Sequence, residues 1–171
     1  MHIGRLPDRQ ARLKNKRVLL VEDEAMVAML IEDELRDAGA DVLGPAHCVA
    51  GALRLVEAAA ADGGIGAAVL DINMNGRHVS PVADRLAALG VPFVFATGYR
   101  VGPETAMHGH APVLEKPFDP QMLVAIVEAL AAGAGAAPAA AEAGRAAQLS
   151  ARLRNLPAVM PPSITSSEPV R

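Results

Sequence analysis

The stretch VLLVEDEAM, residues 18–26, joins four apolar residues to three consecutive acidic ones. Its first half predicts a buried β-strand, because short apolar runs rich in β-branched residues are typical of strands covered on both faces. The acidic half, Glu22 to Glu24, is then costly, since like charges repel and burial of an unpaired charge is unfavourable. The stretch therefore predicts a strand whose carboxyl end needs a cation, with Glu24 serving only to begin the helix that follows.

The same change from a strand pattern to a helix pattern recurs along the chain. Further strands are predicted at 42–43, 67–70, 93–96 and 113–114, and helices at 26–38, 49–60, 81–89 and 120–131. Alternating strands and helices are typical of a parallel sheet with helices on both faces. Between Thr97 and Pro112 three glycines and a proline interrupt the pattern, so the fourth helix is expected to be weak or mobile.

Two of the predicted helices begin with a recognisable local signal. Ser80 and Asp119 are each followed directly by a proline. A capping side chain before a proline at the first helical position is a common way to begin a helix. Both residues are therefore predicted to be N-caps.

The composition changes at both ends of the alternating region. Residues 1–16 form a basic N-terminal arm. Residues 132–171 are rich in Ala, Gly, Pro and Ser and lack an apolar period long enough for a core, so they are predicted to be a flexible tail. The region 17–131 is the predicted domain.

Charge and cysteine content exclude several classes of protein. Residues 18–130 carry six Lys or Arg against sixteen acidic residues, which is a poor match for a nucleic-acid surface. No segment has the pattern of a signal peptide or a membrane span. The single cysteine, Cys48, excludes an internal disulfide. We expect a cytoplasmic protein that binds neither nucleic acid nor membranes.

Polar side chains follow four of the five predicted strands. Glu22 and Asp23 follow the first strand, Asp71 the third, Thr97 the fourth and Lys116 the fifth. The carboxyl ends of parallel strands lie together, so these side chains are expected to meet. Clustered carboxylates favour Mg²⁺. A carboxylate beside Mg²⁺, a hydroxyl and an ammonium group is suited to accept a phosphoryl group, with Asp71 as the nucleophile.

The remaining candidate residues have less support. The second strand ends near His47, which has no motif around it. Cys48 is predicted to be a small residue on the core side. His108 and His110 both adjoin Gly109 and lack a third metal ligand, so they are predicted to lie in an exposed loop.

The set of motifs resembles the receiver domain of response regulators in two-component signalling. The resemblance covers residues 17–131 and rests on Asp23, Asp71, Thr97 and Lys116, which follow one another at intervals of 48, 26 and 19 residues. The string FATGY resembles a mostly single-domain branch with a Phe-Ala-Thr-Gly-x-Tyr motif. Its first four residues fit, whereas Tyr99 takes the variable place and Arg100 the final one. The resemblance implies a flavodoxin-like, doubly wound α/β fold with a five-stranded parallel sheet, (βα)5.

The resemblance also implies roles for the site residues. Asp71 would be phosphorylated by a sensor histidine kinase, Thr97 would be the switch hydroxyl, and Lys116 would bind the phosphoryl group, its peptide bond to Pro117 being cis. The Mg²⁺ ligands that the resemblance implies are Glu22, Asp23, Asp71 and the backbone carbonyl of Asn73.

Three features depart from the pattern of the family: Asn75 replaces a proline common before the loop glycine, the fourth helix is weak, and the switch aromatic is absent. Val113 stands where many receivers carry a switch aromatic on the fifth strand, three residues before the lysine. The usual coupling between the threonine and this aromatic is therefore in question. Tyr99 is the candidate for a replacement.

These features together predict a stand-alone response regulator of a phosphorelay. It would be a magnesium-binding phosphoprotein that promotes its own phosphorylation and dephosphorylation, without turnover of a separate substrate. Its output would pass through contacts with an unknown downstream protein. The alternatives are an interaction module that works without phosphorylation and a phosphate sink for a kinase. A Mg²⁺-dependent phosphatase-like enzyme is disfavoured, because no second acid or base adjoins Asp71 in the sequence.

Overall fold

A computed structural model describes residues 12–98 and 107–133 of the chain. Their strands are β1 Arg17–Val21, β2 Asp41–Ala46, β3 Ala67–Asp71, β4 Asn73–Met74, β5 Arg77–His78, β6 Phe93–Thr97 and β7 Val113–Glu115. Their helices are α1 Ala25–Asp37, α2 Val49–Ala61, α3 Ser80–Ala88 and α4 Pro120–Ala131. None of these helices combines the length and the apolarity needed to cross a bilayer.

Five of the strands form a parallel sheet in the order β2-β1-β3-β6-β7. This arrangement confirms the predicted flavodoxin-like α/β fold, and the predicted strands and long helices lie where the periodicity placed them. The helix expected between Thr97 and Pro112 falls largely on residues 99–106, which lie outside the described residues, as do the tail beyond Gly133 and the first eleven residues of the arm.

The alternation of side chains along the strands produces one apolar core on each face of the sheet. On one face Leu20, Val69 and Val94 pack with residues of α1 and α4 such as Leu35 and Val127. On the other face the neighbouring strand residues pack with α2 and α3; they are Leu19, Val21, Ala68, Leu70, Phe93 and Phe95. Successive side chains of a strand point to opposite faces, so a strand covered on both sides is apolar throughout.

The described part of the basic arm packs on the domain. Leu13 is fully buried in the core beside α1 and α4, and its backbone N–H donates to the carbonyl of Ala38 at 2.8 Å. Arg12 donates to Glu128 of α4 at 2.9 Å. Ordered packing in the described chain therefore begins before β1.

The prediction that both histidines are exposed is correct for His110 and wrong for His108. The half-buried His108 ring packs edge-on against Phe93, with 5.4 Å between the ring centroids. Its Nε2 lies 2.8 Å from Oδ1 of Asp84 on α3. A histidine on a surface turn is covered here because aromatic and acidic partners distant in the sequence pack against it.

Only one of the two predicted helix caps is present. Asp119 caps α4, since its Oδ1 accepts the backbone N–H of Gln121 at 2.9 Å. Ser80 does not cap α3, because that helix already begins at Ser80 and Val79 occupies the capping position. The buried Val79, whose N–H donates to the carbonyl of Ile72 at 3.1 Å, sets the helix start one residue earlier than the serine signal indicated.

A bulge interrupts β2 at Gly44 and Pro45. Leu19 pairs with Leu43, but Val21 pairs with Ala46, so β2 carries one additional residue. Gly44 has a φ of 109°, and a Cβ there would lie 2.7 Å from the carbonyl oxygen of Leu20. The close approach of two backbones therefore requires glycine at this position.

We expect Gly44→Ala to lower the free energy of unfolding by about 2–4 kcal/mol, because a left-handed backbone and a clash with main-chain atoms act together. Gly90→Ala is the matched control. Gly90 also has a positive φ, 70°, but nothing lies within 4 Å of the position that a Cβ would take there, so the loss should be only about 1 kcal/mol. Urea unfolding measures both variants, and equal losses would contradict the close approach at Gly44.

Candidate functional site

The predicted site residues come together at the carboxyl ends of adjacent strands. Glu22 and Asp23 follow β1, Asp71 ends β3, Thr97 ends β6 and Lys116 follows β7. The sheet order places β1, β3, β6 and β7 side by side. The parallel topology thereby gathers residues that are up to 94 positions apart in the chain.

Three carboxylates form the centre of the site. Glu22, Asp23 and Asp71 each offer a carboxylate oxygen, and these oxygens all lie within 4.8 Å of one another. Glu22 is 1% exposed and Asp71 6% exposed, whereas Asp23 is half-buried. The site is thus an acidic pair in the interior with a third acid at its solvent side.

Lys116 joins the two buried acids. Its Nζ donates to Oε2 of Glu22 at 2.7 Å and to Oδ2 of Asp71 at 2.8 Å. Burial alone would lower the pKa of Lys116, but the hydrogen bonds and the charges of Asp71 and Glu22 outweigh it and raise that pKa above its ordinary value. The lysine is therefore held in its charged form between the two carboxylates.

Glu22 remains electrostatically strained despite this partner. Burial raises the pKa of Glu22, and the charge of Asp71 adds to the rise, while the hydrogen bond from Lys116 only partly offsets it. Three carboxylates against one ammonium leave two negative charges in excess. This all-oxygen donor set with excess negative charge fits a hard divalent cation such as Mg²⁺.

A hairpin that the sequence analysis missed holds Asp23. The strands β4 and β5 pair through a two-residue turn at Asn75 and Gly76, both with positive φ. The backbone N–H of Asn75 donates to Oδ2 of Asp23 at 2.7 Å. The Asn-Gly pair is a known signal for this type of turn and could have revealed the hairpin.

Backbone hydrogen bonds connect the ends of the strands around Asp71 and Thr97. The N–H of Asn73, whose carbonyl is a predicted metal ligand, donates to Oδ1 of Asp71 at 3.1 Å. Thr97 is buried, and its carbonyl accepts the N–H of Lys116 at 2.7 Å. The Lys116–Pro117 peptide bond is cis.

The position of the missing switch aromatic is filled only by a half-buried valine. Val113 pairs in register with Phe95 of β6. Tyr99, the candidate for its replacement, lies outside the described residues. The role of Tyr99 therefore stays a prediction.

The end of β2 contacts the backbone of Glu22, which the sequence analysis did not predict. His47 Nδ1 lies 2.9 Å from the carbonyl oxygen of Glu22, and the carbonyl of Ala46 accepts the N–H of Glu22 at 3.0 Å. The prediction that Cys48 lies on the core side is wrong. It is exposed and caps α2, with its Sγ accepting the N–H of Gly51 at 3.4 Å.

Neither a family model nor a curated protein matches this chain. Solved structures with the same fold do match it. A response regulator receiver protein from Sinorhizobium medicae is 28% identical, with 68% of this chain and 94% of that chain covered and a TM-score of 0.58.

Two PhyR proteins are also similar to this chain. The response regulator PhyR from Brucella abortus is 25% identical, with 84% of this chain and 55% of that chain covered and a TM-score of 0.55. The anti-anti-sigma factor PhyR from Bartonella quintana is 27% identical, with 72% and 51% covered and a TM-score of 0.56. This chain thus spans about half the length of both proteins. Its structural neighbours are receiver domains of response regulators.

We expect Glu22→Gln to raise the free energy of unfolding of the metal-free protein by about 1 kcal/mol at pH 7, since one negative charge leaves a cluster of like charges. Because the pKa of Glu22 is higher in the folded than in the unfolded chain, folding favours the protonated form. The stability that protonated Glu22 contributes is therefore present at low pH and lost as the pH rises through the folded-state pKa.

Urea unfolding with and without Mg²⁺ measures this effect. The variant should start more stable and gain less from Mg²⁺ than the wild type. Glu57→Gln, at an exposed ion pair with Arg85, is the control and should leave the gain from Mg²⁺ unchanged. A metal-free Glu22→Gln protein less stable than the wild type would contradict the excess of negative charge.

Proposed function

We propose that this chain is a response-regulator receiver that accepts a phosphoryl group on Asp71 from a sensor histidine kinase, with Mg²⁺ as cofactor. The observation that carries the proposal is the Lys116 ammonium, which bridges the buried Asp71 and Glu22. These two acids and Asp23 have carboxylate oxygens that lie within 4.8 Å of one another. The likeness to receiver structures supports the same assignment.

Asp71 is suited to the role of nucleophile. Its Oδ1 accepts the N–H of Asn73 and its Oδ2 accepts from Lys116, so the carboxylate is held in one orientation. A carboxylate oxygen of Asp71 forms a bond to phosphorus as the phosphorus–nitrogen bond of the kinase phosphohistidine breaks. The imidazole, protonated on its other nitrogen, leaves with the bonding electron pair.

The remaining residues prepare the site for the added negative charge. Glu22, Asp23, Asp71 and the carbonyl of Asn73 would hold Mg²⁺, which supplies positive charge to the phosphoryl oxygens when it is bound. Lys116, already charged and already beside Asp71, would pair with a phosphoryl oxygen. Thr97, at the end of β6, would donate its hydroxyl to another.

A protein partner is favoured by the surface next to the site. The exposed side chains of Met26, Met29 and Leu30 lie on α1, which begins two residues after Asp23. Apolar side chains clustered on one helix face are typical of protein-binding surfaces. Both the kinase and a downstream protein are therefore proposed to bind as proteins, without turnover of a separate substrate.

We expect the wild type, incubated with Mg²⁺ and phosphoramidate, to gain the mass of one phosphoryl group, whereas Asp71→Asn gains none, because the amide is a poor nucleophile at phosphorus. Asp62→Asn is the matched control, since Asp62 is exposed and outside the site, and it should be labelled as the wild type is. Intact-mass spectrometry measures the adduct, and chelation of Mg²⁺ should abolish it.

The other outcomes separate the alternatives. Labelling that survives in Asp71→Asn would overturn the assignment of the acceptor. Absence of both Mg²⁺ binding and adduct in the wild type would leave an interaction module that works without phosphorylation. Continuous release of phosphate from an added ester would indicate a phosphatase-like enzyme.

A further inference from the structure

We infer that His47 is a positioning residue for the metal site, acting through the backbone of Glu22. The inference rests on the proposed function, since it concerns the same carboxylates. It goes beyond that function because His47 follows β2, the strand that contributes no side chain to the acidic cluster.

Glu22 is held on both sides of its own backbone. Its N–H donates to the carbonyl of Ala46 at 3.0 Å, which continues the pairing of β1 with β2 by one residue. Its carbonyl lies 2.9 Å from Nδ1 of His47. Ala46, the last residue of β2, and His47, the next residue, thereby fix the direction in which the chain leaves β1.

The carbonyl of Glu22 belongs to the peptide group that also contains the N–H of Asp23. A peptide group is planar, so fixing the direction of its carbonyl also fixes the direction from which Asp23 starts. The hydrogen bond from His47 thus helps to set the position of Asp23 relative to Glu22. On its other side Asp23 is held by the N–H of Asn75 at 2.7 Å.

The bulge in β2 brings His47 to this position. The additional residue at Gly44 and Pro45 shifts Ala46 into register with Val21, and His47 follows directly. Cys48 then caps α2, so His47 lies between the end of a strand and the start of a helix. Its backbone is consequently anchored on both sides.

The donor does not depend on the charge of the ring. A carbonyl oxygen accepts only, so the hydrogen bond requires a proton on Nδ1 of His47. The neutral Nδ1–H tautomer and the imidazolium both provide that proton. Asparagine can place an amide N–H near the same position, whereas the amide of glutamine lies one bond further out and leucine has no donor.

The experiment compares His47→Leu, His47→Gln and His47→Asn with the wild type, and uses His110→Leu as a control at another exposed histidine. Calorimetric titration with Mg²⁺ alone gives the affinity. The rate of Asp71 labelling by phosphoramidate, measured against Mg²⁺ concentration, separates half-saturation from the maximal rate. Circular dichroism verifies that each variant is folded.

Loss of an outer hydrogen bond at a metal site weakens metal binding by about 10- to 100-fold. His47 is exposed and acts through the backbone, so we expect His47→Leu and His47→Gln to weaken Mg²⁺ binding by about three- to tenfold, below that range. His47→Asn should stay within about twofold of the wild type, and the maximal labelling rate at saturating Mg²⁺ should change little. If His47→Leu does not fold, the comparison of Mg²⁺ affinity between His47→Gln and His47→Asn tests the inference.

Equal Mg²⁺ affinity in the wild type and His47→Gln would overturn the inference and leave the proposed function intact. Equal loss in His47→Gln and His47→Asn would do the same, because it would show a need for the ring and not for the donor. A wild type that binds no Mg²⁺ would overturn the inference together with the metal step of the proposed function.

Discussion

The whole site depends on one ammonium group shared by two buried carboxylates. Glu22 and Asp71 are almost excluded from solvent, and an unpaired charge in such a place is strongly unfavourable. Lys116 follows β7, which lies two positions from β3 in the sheet, a distance of about 10 Å at ordinary strand spacing. A long side chain is required to cover it. The lysine neutralises only part of the cluster, and the negative charge that remains fits a divalent cation.

The fold and the centre of the site could be predicted from the sequence because both follow from short-range patterns. Strands covered on both faces are continuously apolar, as in β1 and β3, and the helices between them carry a separate period. Parallel strands must then end on the same side of the sheet. The residues after those ends, including Asp71 and Lys116, were therefore expected together, and the structure brings them within hydrogen-bonding distance.

The features that escaped prediction are those in which a distant part of the chain overrides a local signal. Ser80 has the residue type and the following proline of a helix cap, but the buried Val79 sets the start of α3. His108 lies beside Gly109 in a turn, yet Phe93 and Asp84 cover it. His47 acquires its significance only because the β2 bulge directs it to Glu22. The hairpin after Asp71 is the exception, since its Asn-Gly turn is itself a short-range signal.

The bulge in β2 has a consequence for how this molecule associates with others. Of the five strands in the described sheet, β2 and β7 have a neighbour on one side only. An unpaired strand edge is a template for a foreign strand, and proteins protect it with bulges, prolines or short length. Here β2 carries both the bulge and Pro45, and β7 has three residues. Sheet extension between molecules is therefore disfavoured at both edges of the described sheet, whereas the helical surfaces carry no such protection.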